Sequence, residues 1–266
     1  RKPCRARGRI GPVIPGMKIR TVNASHGWRW IAQGALIFRK NPPLWVLLIA
    51  ILFVGSRVLL AIPLVGLIAV LVAPNFFAGL AHGAQALEQG KPLRLGYLAS
   101  GFLKNAAQLI TIGGVSLVGQ FVMLIAMALV GGESLGDISR AVATGAATPE
   151  AIESMRAAAP RMVMAVLIGF GVTLPLMMAV WFAPLLVFFD DMKPLPALAA
   201  SLWACLKNVL PLLIYGVAIL VPLVILTPLS LAMRPPDLGL WLLAPILVPS
   251  IYVSYRDLFL STPAPA

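Results

Sequence analysis

Charge is scarce in this chain. Asp, Glu, Lys and Arg make up 11% of its 266 residues, while apolar types make up 60%. A soluble domain carries about 25% charged residues. One water-solvated core is therefore excluded, and lipid must solvate much of the surface. Acids are the scarcer sign, nine against 21 basic residues, for a net charge of +12. Such an excess can serve nucleic acid. Here the basic residues sit at the ends of apolar runs, which is the pattern of membrane orientation, and no nucleic-acid partner is expected. The two cysteines, Cys4 and Cys205, make neither a disulfide framework nor a metal-ligand spacing. Histidine occurs twice, as His26 and His82. There is no H-E-x-x-H, no C-x-x-C and no phosphate loop, so no catalytic residue, metal or cofactor is expected and the chain does not read as an enzyme. Gly132 to Gly136 matches G-x-S-x-G, but a membrane helix rather than a strand precedes it and no histidine follows. No Asp or Glu falls inside an expected span, which counts against proton- or sodium-driven transport.

What is present is a set of six long apolar runs, about 44–62, 64–83, 106–130, 162–189, 209–233 and 238–255. Each approaches or exceeds the ~20 residues needed to cross a hydrocarbon core. The fold class expected is an all-α integral membrane protein, with six transmembrane helices as three hairpins, each preceded by an interfacial amphipathic helix. The first such helix runs from Ser25, a suitable N-cap, to Arg39. Trp28, Ile31, Ala35 and Phe38 recur at helical spacing, with Trp28 and Trp30 as interfacial anchors. Pro42 and Pro43 stop it. The second covers roughly Leu93 to Lys104 and the third Leu195 to Lys207. Residues 131–161 are the one sizeable polar region. They predict two short extramembrane helices, one starting at Thr148-Pro149-Glu150, as a lid or docking site. Residues 1–16 read as a disordered basic arm upstream of a natural start at Met17. The membrane domain is 17–260, and 261–266 are a disordered tail. Arg234 to Asp237 form a tight turn, Tyr252 and Tyr255 an aromatic belt, and Asp190 and Asp191 solvated boundary charges.

A repeat underlies this plan. Lys-Asn occurs three times, as Lys40-Asn41, Lys104-Asn105 and Lys207-Asn208, each at the entrance to an apolar run. A shuffled chain would hold about 0.1 such pairs. Ala73-Pro74, Ala183-Pro184 and Ala244-Pro245 return in or near the second helix of each hairpin. At these corners Asn can cap the incoming helix while Lys meets anionic headgroups, at about 1 kcal/mol each near the surface. The sharper reading is that the three corners line one headgroup pocket. Two further ligand candidates lie within the spans. Arg57 either contacts a ligand or snorkels to the interface. Asn75 follows Pro74. Gly79 and Gly83 suit a close helix contact. Gln108, Ser116 and Gln120 share one helix face, for helix–helix hydrogen bonds or a water-lined path.

Outside residues 1–16, eleven basic residues fall on the side of the Lys-Asn corners and five on the other. This places both termini in the cytoplasm. A tag at Gly145 is then extracytoplasmic and one after Ala266 cytoplasmic.

The stretches Gly27-Trp28-x-Trp30, Leu36 to Pro42, Ala183 to Phe188 and Ser201 through Lys207-Asn208 resemble an uncharacterised family of six-helix proteobacterial inner-membrane proteins. More distantly the plan resembles the membrane domain of some glycerophosphodiester phosphodiesterases. The likeness covers about Met17 to Leu260. It implies an inner-membrane location and carries no catalytic residue across. Nothing in these residues resembles the soluble phosphodiesterase domain, so that activity is not implied. Two functions remain: a structural, interaction or lipid-organising membrane protein whose partners are anionic lipids, or a transporter or lipid-handling protein with a site among the helices. A packed apolar interior favours the first. A polar cavity reached by Gln108, Gln120 or Asn75 favours the second.

Overall fold

A computed structural model of the chain describes residues 19–144, 149–233 and 238–260. The basic arm, Met17, the Thr148 cap, the turn at 234–237 and the tail lie outside these residues. The described residues form nine helices and no strand. They are α1 (His26–Arg39), α2 (Pro42–Leu60), α3 (Pro63–Glu88), α4 (Tyr97–Leu103), α5 (Ala106–Thr144), α6 (Pro149–Phe189), α7 (Pro194–Lys207), α8 (Val209–Met233) and α9 (Leu238–Phe259). Six of them, α2, α3, α5, α6, α8 and α9, are long and apolar enough to cross a membrane. The chain is an all-helical multi-pass membrane protein.

Several boundaries move from where the sequence places them. The helix α3 continues past residue 83 to Glu88, where a glycine ends it. Gly90 has φ 76°, its N–H returns to Leu87 O at 3.2 Å, and that of Lys91 returns to Ala86 O at 2.8 Å. This is the 6→1 and 5→2 pairing of a Schellman motif. The last span likewise runs on past Tyr255 to Phe259. α4 is shorter than the expected 93–104, since Pro92 and the buried Leu93 precede it in non-helical backbone. The stretch 131–161 does not make two separate helices. It continues α5 out to Thr144 and begins α6 at Pro149, with no proline between 131 and 144 to break the ladder.

The packing repeats a plan three times. The second span of each unit, α3, α6 and α9, lies inside, where the three touch one another. The first spans, α2, α5 and α8, lie further out. Each short helix crosses the inner helix of the preceding unit: α4 lies on α3, α7 on α6, and α1 on α9, which closes the set. Small residues make these crossings close. A Cβ on Gly101 would run into the Asn75 backbone, and one on Gly79 into the carbonyls of Tyr97 and Leu98. A Cβ on Gly34 would stand 2.6 Å from that of Ser250. At the third crossing the Ser201 hydroxyl enters the α6 ladder. It donates to Met178 O at 2.7 Å and accepts from Phe182 N at 2.9 Å. That pair would otherwise bond directly, and a side chain inserted this way is a recognised cause of helix bending.

α1 therefore does not use its residues as the sequence suggests. Its buried side is Gly27, Trp30, Gly34 and Ile37, against α8 and α9. Trp28 is exposed and free to sit at an interface, but Trp30 is only 1% exposed and is no anchor. Its indole needs a partner and has one in the part-buried Asp257. Ser25 makes no capping bond, because its own backbone is already helical (φ −60°, ψ −19°).

Candidate functional site

The inner helices all end on the side of the Lys-Asn corners, and each ends in acid: Glu88 on α3, Asp190 and Asp191 after α6, Asp257 on α9. A carboxylate at a helix C-terminus faces the negative end of the macrodipole. It needs donors, which come from other units for Glu88, Asp190 and Asp257 and from the Lys104-Asn105 corner for Asp191. Tyr252 Oη donates to Glu88 at 2.9 Å, and Arg256 pairs with Glu88 while donating to Gln33 at 2.8 Å. Tyr255 Oη donates to Asp190 at 2.6 Å. Asp257 takes Trp30 Nε1 at 2.9 Å, contacts His26 Nδ1 at 2.6 Å, and has Arg20 at 3.7 Å. The result is a polar cap stitching the three units together.

Two adjacent carboxyls of this cap are driven apart. Burial pushes Asp190 up, against the pull of the Tyr255 hydroxyl, and the Asp191 charge adds to the rise. Hydrogen bonds from Asn105 and Lys104 hold Asp191 below the usual range. Asp191 sits in the left-handed region, φ 52°, which Asp tolerates better than most residues. Solvated boundary charge thus describes Asp191 and not Asp190. The aromatic belt is corrected too: Tyr252 and Tyr255 are 2% and 1% exposed and face inward, because their hydroxyls find carboxylates there. The sequence reading gave Glu88, Arg256 and Asp257 no place in a site and set both tyrosines at the interface. The signal that could have found them is one acid closing each second span.

The corner residues go to different partners. Asn41 caps α2 through a long 3.4 Å bond from Leu44 N, and Lys40 donates to Leu87 O at 2.8 Å. Asn105 donates to Val187 O at 2.8 Å and to Asp191 at 2.7 Å. Lys104 lies 3.2 Å from Asp191 and 5.5 Å from the Phe188 ring centre. Asn208 accepts from Val22 N at 2.9 Å and donates to Arg20 O at 2.9 Å. Lys207 is exposed. Asn41 caps the incoming span through its side chain, whereas Asn208 bonds the last turn of α7 at Ala204 O as well as the segment before α1, and Asn105 reaches α6 and Asp191. Arg57 is half-buried over the Phe53 ring at 5.3 Å. Asn75 is fully buried and holds the α4–α5 corner, donating to Gly101 O at 3.0 Å and Ala106 O at 3.4 Å. Cys205 is a buried thiol, pushed up to about 12 by burial, and is unreactive for that reason.

Open clefts lie between the described spans, and three of them are associated one with each unit. The first, ≈ 500 Å³, is bounded by α3, α5 and α6 and includes Ser116, Gln120 and Thr173. The second, ≈ 380 Å³, lies between α6 and α8. The third, ≈ 370 Å³, lies among α2, α3 and α9. Their walls are apolar apart from a few hydroxyls and Gln120. Gln108 and Asn75 line none of them. Among the described residues no His, Cys, Asp and Glu are grouped to hold a metal.

The chain is similar to a protein described as a probable inner membrane protein of Burkholderia thailandensis. The two are 28% identical over 205 residues, which cover 75% of this chain and 74% of the relative. No family model and no solved structure matches. The relative's description goes no further than the inner membrane and adds nothing to the likeness with phosphodiesterase membrane domains.

Proposed function

We propose that this protein is an inner-membrane scaffold that organises lipids, holding acyl chains in its lateral clefts and anionic headgroups at its corners. The observation that carries this is the contrast between inside and outside. The inner helices are packed, with Ala78, Ala81, Leu185, Leu186 and Val253 at 0–1% exposure. The clefts lie between spans, and mid-span side chains on their walls, such as Met177 and Leu220, are exposed. The cap closes the bundle on the corner side. Exposed Arg39, Lys40, Lys91, Arg94, Lys104, Lys193 and Lys207 border that side, against a single exposed carboxylate among the described residues there, Asp191. Each cation near an anionic surface contributes about 1 kcal/mol. The inner-membrane location follows the relative's description and the six spans. Charge asymmetry supports a cytoplasmic corner side.

Native mass spectrometry of protein released from nanodiscs tests the reading, beside a variant with Lys40, Lys104 and Lys207 changed to Gln. The expected spectrum shows phospholipid adducts enriched in anionic species, with the enrichment lost in the variant. Bare protein in both samples would remove the lipid-organising role and turn the search to protein partners.

A further inference from the structure

The three clefts are alike in position but not in chemistry. Only the α3–α5–α6 cleft carries a side-chain amide, Gln120, which is exposed and makes no hydrogen bond among the described residues. Its depth is what makes this informative. Gln120 lies 14 residues after Ala106 and 10 before Val130, so ~21 Å and ~15 Å of helix separate it from the ends of the span. An amide at mid-depth in hydrocarbon has no water to satisfy it, and each unsatisfied group costs several kcal/mol. Trp181 on α6 lines the facing wall with its ring, while its Nε1 is buried away from the cleft surface. Trp181 also lines the α6–α8 cleft, so it stands between the two.

We propose that this cleft binds an isoprenoid quinone, with a ring carbonyl accepting from the Gln120 amide and the ring packed against Trp181. The proposal rests on the reading that lateral clefts take lipid-soluble molecules, and it names the occupant of one of them. A phospholipid does not fit the polar group, because its esters and phosphate stay near the surface and its chains carry no acceptor. A quinone ring carries two carbonyl acceptors on opposite edges and dissolves in the bilayer interior. The rest of the wall suits a flat ring and an apolar tail: Phe77, Pro74 and Pro184 offer faces, and Val70, Leu176 and Met177 offer aliphatic surface. A volume of ≈ 500 Å³ lies within the 300–1,000 Å³ range typical of small-molecule sites.

The test is to purify the whole protein from bacterial membranes, extract it with chloroform–methanol and assay the extract for quinones and phospholipids by mass spectrometry. A short-chain ubiquinone analogue is then titrated against tryptophan fluorescence. The wild type should retain quinone and bind the analogue. Gln120→Leu should weaken binding about tenfold, the scale of one hydrogen bond lost from a desolvated site. Met177→Trp, which narrows the mouth of the cleft, should do the same without touching a donor. Both variants are first checked for helicity and a single hydrodynamic species. A wild-type extract holding phospholipid without quinone sinks this proposal and leaves the scaffold reading standing, whereas an extract holding neither sinks both. Equal analogue affinity in wild type and both variants also overturns it.

Discussion

Replacing Asn208 with alanine removes three hydrogen bonds at once. Its side chain accepts from Val22 N at 2.9 Å and donates to Arg20 O at 2.9 Å and Ala204 O at 3.0 Å, and the residue is 1% exposed. At about 1 kcal/mol each the loss is about 3 kcal/mol, with the Val22 N–H left unpaired. Asn41 occupies the matching corner of the first unit and makes one long capping bond of 3.4 Å. Asn41→Ala should cost about 0.5 kcal/mol, the low end for an N-cap. Sequence symmetry alone predicts equal effects, so the contrast tests the structure. Unfolding by SDS in mixed micelles measures both variants. Trypsin gives a local readout, because freeing the 19–25 segment exposes the bond after Arg20. Asn208→Ala should be cut there faster than wild type, and Asn41→Ala at the wild-type rate. Indistinguishable unfolding free energies for the two variants would refute the reasoning.

Four further outcomes follow from other parts of the fold. Gly101→Ala drives a methyl into the Asn75 backbone and should cost about 2–3 kcal/mol in a detergent melt, while Gly55→Ala, with nothing within 4 Å, should be neutral or stabilising by up to about 1 kcal/mol. Arg256→Gln removes the pair with Glu88 and should cost about 2–3 kcal/mol in SDS titration, partly recovered by adding Glu88→Gln. The Asp190 carboxyl is raised above 3.8, so its contribution to stability is fully present below that value and is lost as pH rises through the folded pKa. Asp191 has the opposite sign, stabilising above 3.8 and losing that contribution as pH falls through its lower folded value. Tyr255→Phe removes a bond to the Asp190 carboxylate and should raise its titration further, read from the carboxyl infrared band. In a background lacking Cys4 and Cys205, Glu153→Cys should label from the side opposite Lys207→Cys in sealed vesicles, and labelling from one side would overturn the arrangement of spans.

The spans were legible because about twenty predominantly apolar residues have one physical explanation, and Gly79 with Gly83 correctly announced a close crossing. What was not legible depends on which side of a helix meets another chain segment. Trp28 and Trp30 look alike in a window, yet one faces outward and the other bonds to a residue 227 positions away. Tyrosines near a span end ordinarily mark the interface. Here the acids that draw Tyr252 and Tyr255 inward lie 164 and 65 positions earlier in the chain. Ending the last span at Tyr255 left Arg256 as one more basic residue of the corner side and Asp257 outside the helix. The Lys-Asn repeat was visible, but its three asparagines diverge in partner, which a repeated dipeptide has no means to announce.

The crossing of α1 over α9 sets a clock on biogenesis. His26 and Asp257 are 231 residues apart, and the buried face of α1 is covered largely by the last span to be made. At 5–20 residues per second a ribosome needs on the order of 10–50 s to travel between them. Throughout that interval α1 is a helix whose final neighbour does not exist, with Trp30 and Ile37 uncovered. The bilayer surface can shelter such a face in the meantime. The amphipathic pattern read from the sequence then describes where this helix waits, and the folded structure where it ends.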